Sequence, residues 1–304
     1  MNLLEYIKER ELLDKLNTED INENFDDINQ IIDNSTIKYN KTILTKFNKE
    51  LKNLELEIRN VDLKLQNTFY TKIQPPRLKQ SYANYEKTKK HTDIEIIPDD
   101  FWRDELKALI MTKIKKNIDF QYPGCEIGPR SSFWTRDLVG MDPLFLIGPD
   151  LTPIEYVRSQ FNNVYKRRIR VYQLEDANFS YLPQNAFAFV FSWYHLEFLP
   201  YDIINRYLVG IFDILMPGGT AILSYANCLL EKSAEQFENK HYCYMTRELM
   251  EGLANKNGFD VIEESDYQFR LSWVIIRKPG KLAKGIKHTP SIGYLKVHDQ
   301  EPIP

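Results

Sequence analysis

The residues of this chain whose types and spacing best suit chemistry are Glu126, Gly128 and Asp150. Glu126 and Gly128 end a short apolar segment, and Asp150 ends a second one, 22 residues after Gly128. In nucleotide-binding βαβ units a glycine turn follows the first strand, and a carboxylate about 20 residues further on binds ribose hydroxyls. The spacing therefore predicts the opening unit of a nucleotide-binding fold.

Alternating strand and helix patterns after residue 97 supply the elements that would hold these residues in place. Alternation at this spacing is typical of a parallel sheet covered by helices on both faces. The last two strands are separated by a short polar turn, which predicts an antiparallel hairpin at the sheet edge. The predicted strands are 122–127, 143–148, 168–173, 187–193, 219–226, 259–265 and 269–277, and the predicted helices are 153–165, 201–215 and 246–257.

Composition divides the chain into four parts. Residues 1–70 have helical periodicity and predict a helical coiled-coil arm, and residues 97–278 form the α/β part. Residues 71–96 are polar and predict a linker, in which Pro75 and Pro76 should stop the arm's helix. Residues 279–304 contain four prolines and predict a polar tail.

The arm carries apolar residues in heptad spacing. A helix over 36–69 would be about 50 Å long, so its apolar stripe needs a partner. That partner is either an intramolecular hairpin with residues 2–33 or another chain, by self-association or with a different protein. The stripe consists of Leu44, Phe47, Leu51, Leu54, Ile58, Val61 and Leu65, and a second series contains Ile21, Phe25, Ile28 and Ile32.

The overall composition favours a protein made in a reducing, cytoplasmic environment. The 304 residues have a net charge of −3, which gives no general attraction to nucleic acid or to membranes. No apolar run is long enough to span a bilayer, and the N-terminus lacks the pattern of a signal peptide. The three cysteines, Cys125, Cys228 and Cys243, lack the spacing of a zinc site or a disulfide framework.

Five segments occur in the order and spacing of one family. E-I-G-P follows the first strand and L-I-G-P-D-L-T-P-I-E-Y the second; L-E-D-A-N-F-S-Y-L-P, F-A-F-V-F-S-W-Y-H-L-E-F-L-P and D-I-L-M-P-G-G-T-A-I-L-S come next. Over residues 97–278 this series resembles the class I S-adenosylmethionine-dependent methyltransferases, particularly those that act on small molecules. The resemblance implies an α/β, Rossmann-like methyltransferase fold with a seven-stranded, mostly parallel sheet in the order 3-2-1-4-5-7-6.

The resemblance also implies roles for individual residues. Glu126 and Gly128 would form the turn beneath the cofactor's methionine portion, where a Cβ would collide with it. Asp150 would accept hydrogen bonds from both ribose hydroxyls, and Asp176 would contact the adenine amino group. Ser192, with Trp193 after it, would lie beneath the sulfonium of S-adenosylmethionine and line the substrate mouth.

Other interpretations of these residues stay open. Asp150 and Asp176 also suit helix caps or ordinary strand ends. His195 and Glu197 lie where a general base would act on a substrate hydroxyl or amine, yet a polar residue at this helix start is often simply solvated. The segment F-S-W-Y-H replaces the D/N-P-P-Y segment of nucleic-acid amino-methyltransferases, so a nucleic-acid substrate is disfavoured.

The chain departs from the family at two motif glycines, which are replaced by Arg130 and Ser132. The side chain of Arg130 would point away, pair with the cofactor's carboxylate, or fill the pocket. Two functions follow. One is an S-adenosylmethionine-dependent methyltransferase acting on an unidentified O or N nucleophile. The other is a structural subunit of an assembly such as a phage virion, with the fold retained and the cofactor lost.

Overall fold

The computed structural model describes residues 3–15, 38–90, 104–267 and 271–282. The predicted apolar series from Ile21 to Ile32 and almost all of the predicted tail lie outside the described residues.

Seven strands form a single sheet in the order β3-β2-β1-β4-β5-β7-β6. Strands β1 to β5 run parallel, whereas β7 pairs antiparallel with both β5 and β6. This confirms the predicted fold class, strand order and edge hairpin. The strands are β1 Gly124–Ile127, β2 Leu144–Gly148, β3 Ile169–Gln173, β4 Phe187–Ser192, β5 Leu215–Tyr225, β6 Asp260–Tyr267 and β7 Leu271–Arg277.

Helices precede, connect and cover these strands. The described α-helices are α1 Leu3–Lys15, α2 Lys38–Thr68, α3 Gln74–Lys90, α4 Asp104–Asn117, α5 Ser132–Leu138, α6 Leu151–Ser159, α7 Asn163–Lys166, α8 Tyr201–Ile214, α9 Glu231–Glu238 and α10 Arg247–Lys256. The single helix predicted over 153–165 is wrong, because α6 and α7 are separate. The side chain of Asn162 caps α7 by accepting a hydrogen bond from the Tyr165 N–H at 3.1 Å.

The central strands are buried because helices cover both faces of the sheet. Every residue of β1, β2 and β4 is buried. One apolar cluster joins one face of the sheet to α8 and α10, and the other joins the opposite face to α4, α5 and α6. Parallel sheets have this two-sided burial, which explains why their strands are nearly continuous apolar runs in the sequence.

The segment Pro217-Gly218-Gly219 forms a bulge at the start of β5. Phe187 of β4 pairs with Leu215, whereas Phe189 pairs with Thr220, so the four residues 216–219 of β5 lie opposite Ala188 alone and three of them are extra. Gly218 has a φ of +81°, which favours glycine. The segment is therefore a structural turn within β5, which begins before it at Leu215.

The helix of the arm does not end at the proline pair, which corrects the expectation for residues 71–90. A π-helical segment, Phe69–Ile73, joins α2 directly to α3, and Pro75 and Pro76 lie in the first turn of α3. Proline lacks an N–H and clashes with the carbonyl four residues before it, and a π-helical turn changes the local hydrogen-bond pattern. Because the π-helical turn lies directly before the two prolines, the backbone continues as a helix past them instead of becoming a linker.

The predicted long helix is present as α2, and α1 packs against its C-terminal part. Arg10 forms an ion pair with Asp62, and the rings of Tyr6 and Phe69 stack with centroids 4.5 Å apart. Leu65 is buried in this contact, whereas other stripe residues, such as Leu54, are about half exposed. The hairpin therefore accounts for one part of the stripe only, and association with another chain stays a prediction.

Candidate active site

The turn after β1 is built around Gly128. Its φ is +65°, and its N–H donates a hydrogen bond to the Ile147 carbonyl of β2 at 2.7 Å. A Cβ at this position would lie 2.4 Å from the ring of His195. Glycine is therefore required here by both its backbone conformation and the imidazole packed against it, a contact that the sequence pattern did not reveal.

Glu126 lies under this turn and is only 3% exposed. Burial raises the pKa of its carboxyl to about 8, and the neighbouring Thr135 hydroxyl offsets the shift in part. Its Oε2 has no hydrogen-bond partner among the described residues. At neutral pH this acid is mainly protonated and can donate or accept one hydrogen bond.

Asp150 and Asp176 follow β2 and β3, the two strands beside β1 on one side. Because these strands are parallel, their carboxyl ends bring both residues to the same edge of the sheet as Gly128. Asp150 Oδ1 accepts a hydrogen bond from the Thr152 N–H at 2.8 Å and caps α6. The side chain of Asp176 is exposed, and its residue has a left-handed φ of 50°. Asp150 is thus a helix cap, and it also lies at the edge of the sheet where ligands bind in open α/β folds.

Ser192 lies at the end of β4, on the other side of β1. Its buried hydroxyl donates to the Ile127 carbonyl at 3.1 Å and so joins the ends of β4 and β1. The next residue, Trp193, is 4% exposed, and its ring lies parallel to that of Phe191 with centroids 5.8 Å apart. Both side chains are thus part of the framework beneath the site.

His195 faces the protein interior. Its Nε2 is 3.1 Å from the Tyr207 hydroxyl, and its ring packs against Gly128. Burial, together with the nearby Arg130 charge, lowers the pKa of His195 to about 3. The imidazole is therefore neutral at physiological pH and serves as a packing partner of the glycine turn.

Glu197 lies in the short 3₁₀ turn Leu196–Phe198 after β4 and is 1% exposed. Burial raises the pKa of its carboxyl to about 7, while Ser224 and Arg130 favour the charged form. Neither carboxyl oxygen forms a hydrogen bond of normal geometry with a described residue, although the Ser224 hydroxyl and backbone N–H groups of the same turn lie close enough to favour the charged form. A group with this pKa can exchange a proton near neutral pH.

Arg130 is directed toward the β4 side of the site. Its guanidinium carbon lies 4.4 Å from the centroid of the Phe198 ring and 5.8 Å from that of Tyr194. Burial lowers the pKa of the guanidinium, and Tyr194, Glu197 and Tyr242 partly oppose the shift. The side chain therefore lies beside the segment after β4 that contains Glu197, whereas Asp150 and Asp176 follow the strands on the opposite side of β1.

Ser132, the other replacement of a motif glycine, is buried and is the first residue of α5. The preceding Ser131 caps this helix by accepting from the Phe133 N–H at 3.4 Å. A small side chain at residue 132 still allows the helix to start close to the sheet.

The helix α3 contacts the segment that borders the site, a contact that sequence reasoning missed. The Ser81 hydroxyl accepts from the Tyr244 N–H at 2.8 Å, and Asn84 Nδ2 donates to the carbonyls of Phe237 and Tyr242. Cys243, between these residues, donates its N–H to the Glu197 carbonyl at 2.8 Å. Ser81 and Asn84 are buried polar residues in a polar sequence, so no apolar periodicity could have revealed them.

The described residues lack two further kinds of feature. No helix among them is long and apolar enough to cross a membrane. The same part of the chain contains no group of three or more histidine, cysteine, aspartate or glutamate residues arranged to hold a metal ion.

Several solved structures resemble the chain. An S-adenosylmethionine-dependent methyltransferase from Mesorhizobium loti shares 10% identity at a TM-score of 0.45, over 55% of this chain and 96% of the other. A methyltransferase from Aquifex aeolicus shares 14% at 0.43, over 55% and 88%. A geranyl diphosphate C-methyltransferase from Streptomyces coelicolor shares 6% at 0.46, over 57% and 78%. At this identity none assigns a role to a residue of this chain.

A family model described as a methyltransferase domain matches residues 110–264, slightly more than half of the chain. No curated protein matches significantly. The family model gives no support to the expectation of a phage virion component.

Proposed function

Because this chain belongs to the methyltransferase-domain family, we propose that it binds S-adenosylmethionine and methylates an oxygen or nitrogen nucleophile of a small molecule. The observation that carries the proposal is the edge formed by Gly128, Asp150 and Asp176 at the carboxyl ends of three adjacent parallel strands. Ligands of open α/β sheets bind at this edge, next to the point where the strand order reverses. Here that point lies between β1 and β4.

The residues at this edge fit the adenosine half of the cofactor. Asp150 uses only Oδ1 for the helix cap, so its carboxylate can also accept from ribose hydroxyls. Asp176 presents an exposed carboxylate after β3, where an adenine amino group would donate to it. Glu126 contributes an unpartnered buried oxygen beneath the turn, and Ser192 holds β4 against β1.

Glu197 is the base that the proposal assigns to the acceptor. Its carboxyl has a pKa of about 7, and neither oxygen forms a hydrogen bond of normal geometry with a described residue. His195 is the weaker candidate, because its pKa is about 3 and Nε2 already faces Tyr207. When bound, S-adenosylmethionine supplies an electrophilic methyl: the acceptor's lone pair forms the new bond, the C–S electron pair stays on sulfur, and the acceptor's proton goes to the base. Such transfer depends mainly on proximity and orientation.

Calorimetric titration of the full chain with S-adenosylhomocysteine tests the cofactor site. Asp150→Asn should retain the cap, because asparagine caps helices as well as aspartate does, but it should lose the charged acceptor of the ribose hydroxyls. Hydrogen bonds to a charged group contribute about 1.5–3 kcal/mol each, so binding should weaken at least tenfold. Glu155→Gln, an exposed acid on the same helix, is the matched control.

Two results would contradict this assignment. Equal binding by wild type and Asp150→Asn would place the cofactor elsewhere. Undetectable binding of both S-adenosylmethionine and S-adenosylhomocysteine to the wild type would favour the alternative of a methyltransferase-fold protein with a structural role.

A further inference from the structure

Arg130 and Glu197 are two ionisable groups of opposite type in the segments that follow β1 and β4, and the Arg130 guanidinium lies over the ring of Phe198, the residue after Glu197. Arg130 and Glu197 influence each other's pKa, yet no described hydrogen bond or ion pair joins them or engages the Arg130 guanidinium with any other described residue. Neither oxygen of Glu197 forms a hydrogen bond of normal geometry within the described part of the chain, although the Ser224 hydroxyl lies nearby. Both side chains therefore keep hydrogen-bonding capacity that the described residues do not fully use.

Leaving such groups unpaired is costly. A buried polar group without a partner destabilises a protein by about 1–3 kcal/mol, and a charged one by more. Glu197 is 1% exposed, so bulk water does not readily satisfy its oxygens. Functional sites commonly retain such groups because a ligand satisfies them.

Aromatic rings form walls beside the Arg130 guanidinium. Phe198 contacts Tyr194 and Tyr242 edge to face, with ring centroids 5.1 and 5.6 Å apart. Arg130, Tyr194 and Phe198 are partly exposed, so this side of the site opens outward. Hydrogen bonds hold these walls in place. Cys243 donates to the carbonyls of Glu197 and Phe198, and α3 forms further hydrogen bonds with residues 237–244.

We propose that Arg130 and Glu197 bind the two polar ends of the methyl acceptor, and that the acceptor is an aromatic carboxylic acid carrying a hydroxyl or amino group. The proposal rests on the methyltransferase function proposed above. The planar guanidinium fork matches a carboxylate bidentately. The Glu197 oxygens accept from the hydroxyl or amine, and the rings of Tyr194, Phe198 and Tyr242 contact the flat ring of the acceptor.

The carboxylate bound by Arg130 has two conceivable sources, the acceptor and the amino-acid end of the cofactor. The guanidinium lies against the rings of Tyr194 and Phe198, which follow β4, and this position favours the acceptor. The two sources are separable by comparing S-adenosylhomocysteine with 5′-methylthioadenosine, which lacks the carboxylate.

The test is calorimetric titration of the full chain, alone and with saturating S-adenosylhomocysteine, using 4-hydroxybenzoate, anthranilate and the methyl ester of each. The acids should bind at least tenfold more tightly than their esters. Arg130→Met should bring this ratio close to one, and Arg130→Lys, which keeps the charge but not the fork, should give an intermediate ratio. Arg158→Met, on the exposed face of α6, should leave the ratio unchanged.

Glu197→Gln supplies a second readout. Wild type should prefer 4-hydroxybenzoate over benzoate, and the variant should lose this preference while keeping the acid-to-ester ratio. Thermal unfolding of each variant establishes that it is folded, and the lysine variant replaces the methionine variant if the latter is not.

Three results would overturn the inference. The first is equal binding of acids and esters by the wild type, and the second is no binding of either acid. The third is that Arg130→Met weakens the binding of S-adenosylhomocysteine but not that of 5′-methylthioadenosine. Cofactor binding without acid binding would refute this inference and leave the proposed function standing. Acid binding without cofactor binding would refute the proposed function and retain the acid site.

Discussion

Glu126 and Glu197 are both carboxylic acids buried beside the carboxyl ends of the central strands, but their surroundings differ. Burial alone dominates at Glu126, whose pKa rises to about 8. At Glu197 the Ser224 hydroxyl and the Arg130 charge limit the rise to about 7. Glu126 therefore holds its proton at neutral pH, whereas Glu197 can release and accept one.

We expect Glu126→Gln to change the pH dependence of stability. An acid whose pKa is raised on folding favours the folded state at low pH, and this contribution is lost as the pH rises toward the folded pKa. Glutamine resembles the protonated acid and does not titrate. Between pH 4.5 and about 8 the wild type should therefore lose stability relative to the variant, by at most about 1.4 kcal/mol per pH unit.

Urea unfolding of both proteins at several pH values measures this difference. Glu155→Gln, at an exposed site on α6, should show no such trend. A constant difference between wild type and Glu126→Gln from pH 5 to 8 would show that Glu126 is ionised in the folded protein.

Residue types at the site were predictable from the sequence, but the directions of the side chains were not. Gly128 and Asp150 follow from spacing, because a glycine turn and a carboxylate have fixed places in a βαβ unit. The contact of His195 with Gly128 and the position of Arg130 beside Phe198 depend on tertiary packing across two strands. No local pattern contains that information, so the sequence left several orientations of Arg130 open.

At the scale of elements, the sheet was predictable and α3 was not. Strands buried on both faces are apolar throughout, so they stand out in the sequence. α3 instead begins at a proline pair and contributes buried polar side chains, Ser81 and Asn84, to its contact with the domain. Its helical state depends on the π-helical segment before it and on partners about 160 residues away.

We expect Ser81→Ala to destabilise the protein by about 1–3 kcal/mol, because the buried Tyr244 N–H would lose its acceptor. The variant should also weaken binding at the acceptor side, since the same segment carries Tyr242 and Cys243. Ala83→Ser, at an exposed site one residue from Tyr82 on α3, should change stability by less than about 0.5 kcal/mol. Urea unfolding measures both, and equal shifts would show that the Ser81 contact contributes nothing specific.

At the scale of the whole molecule, the arm is attached to the α/β part rather than separated from it. α1, the π-helical segment and α9 share one apolar cluster, and Arg77 forms an ion pair with Glu238 at 3.0 Å. Residues 74–90, which the sequence predicts to be a polar linker, are therefore a helix that contacts the α/β part. The division of the chain into four parts stays a prediction, because contacts alone do not establish which parts fold independently.

α2 still presents apolar side chains that the described residues do not cover. Phe47, Leu54 and Val61 recur every seven residues and are each about half exposed. Leu65, on the adjoining face, is buried against α1 and the π-helical segment. Soluble monomers rarely expose apolar stripes of this length, which is the reason for the expectation that α2 associates with another chain.

Matched substitutions separate the two faces of α2. Leu65→Asp should lower the unfolding temperature, because it introduces a charge into a buried contact. Leu54→Asp should leave that temperature nearly unchanged but abolish self-association in sedimentation at tens of micromolar, and Asn60→Asp, exposed on the same helix, should do neither. A monomeric wild type at this concentration would exclude a second copy as the partner. The stripe would then bind a different protein or another segment of the same chain, because its half-exposed heptad positions would still require cover.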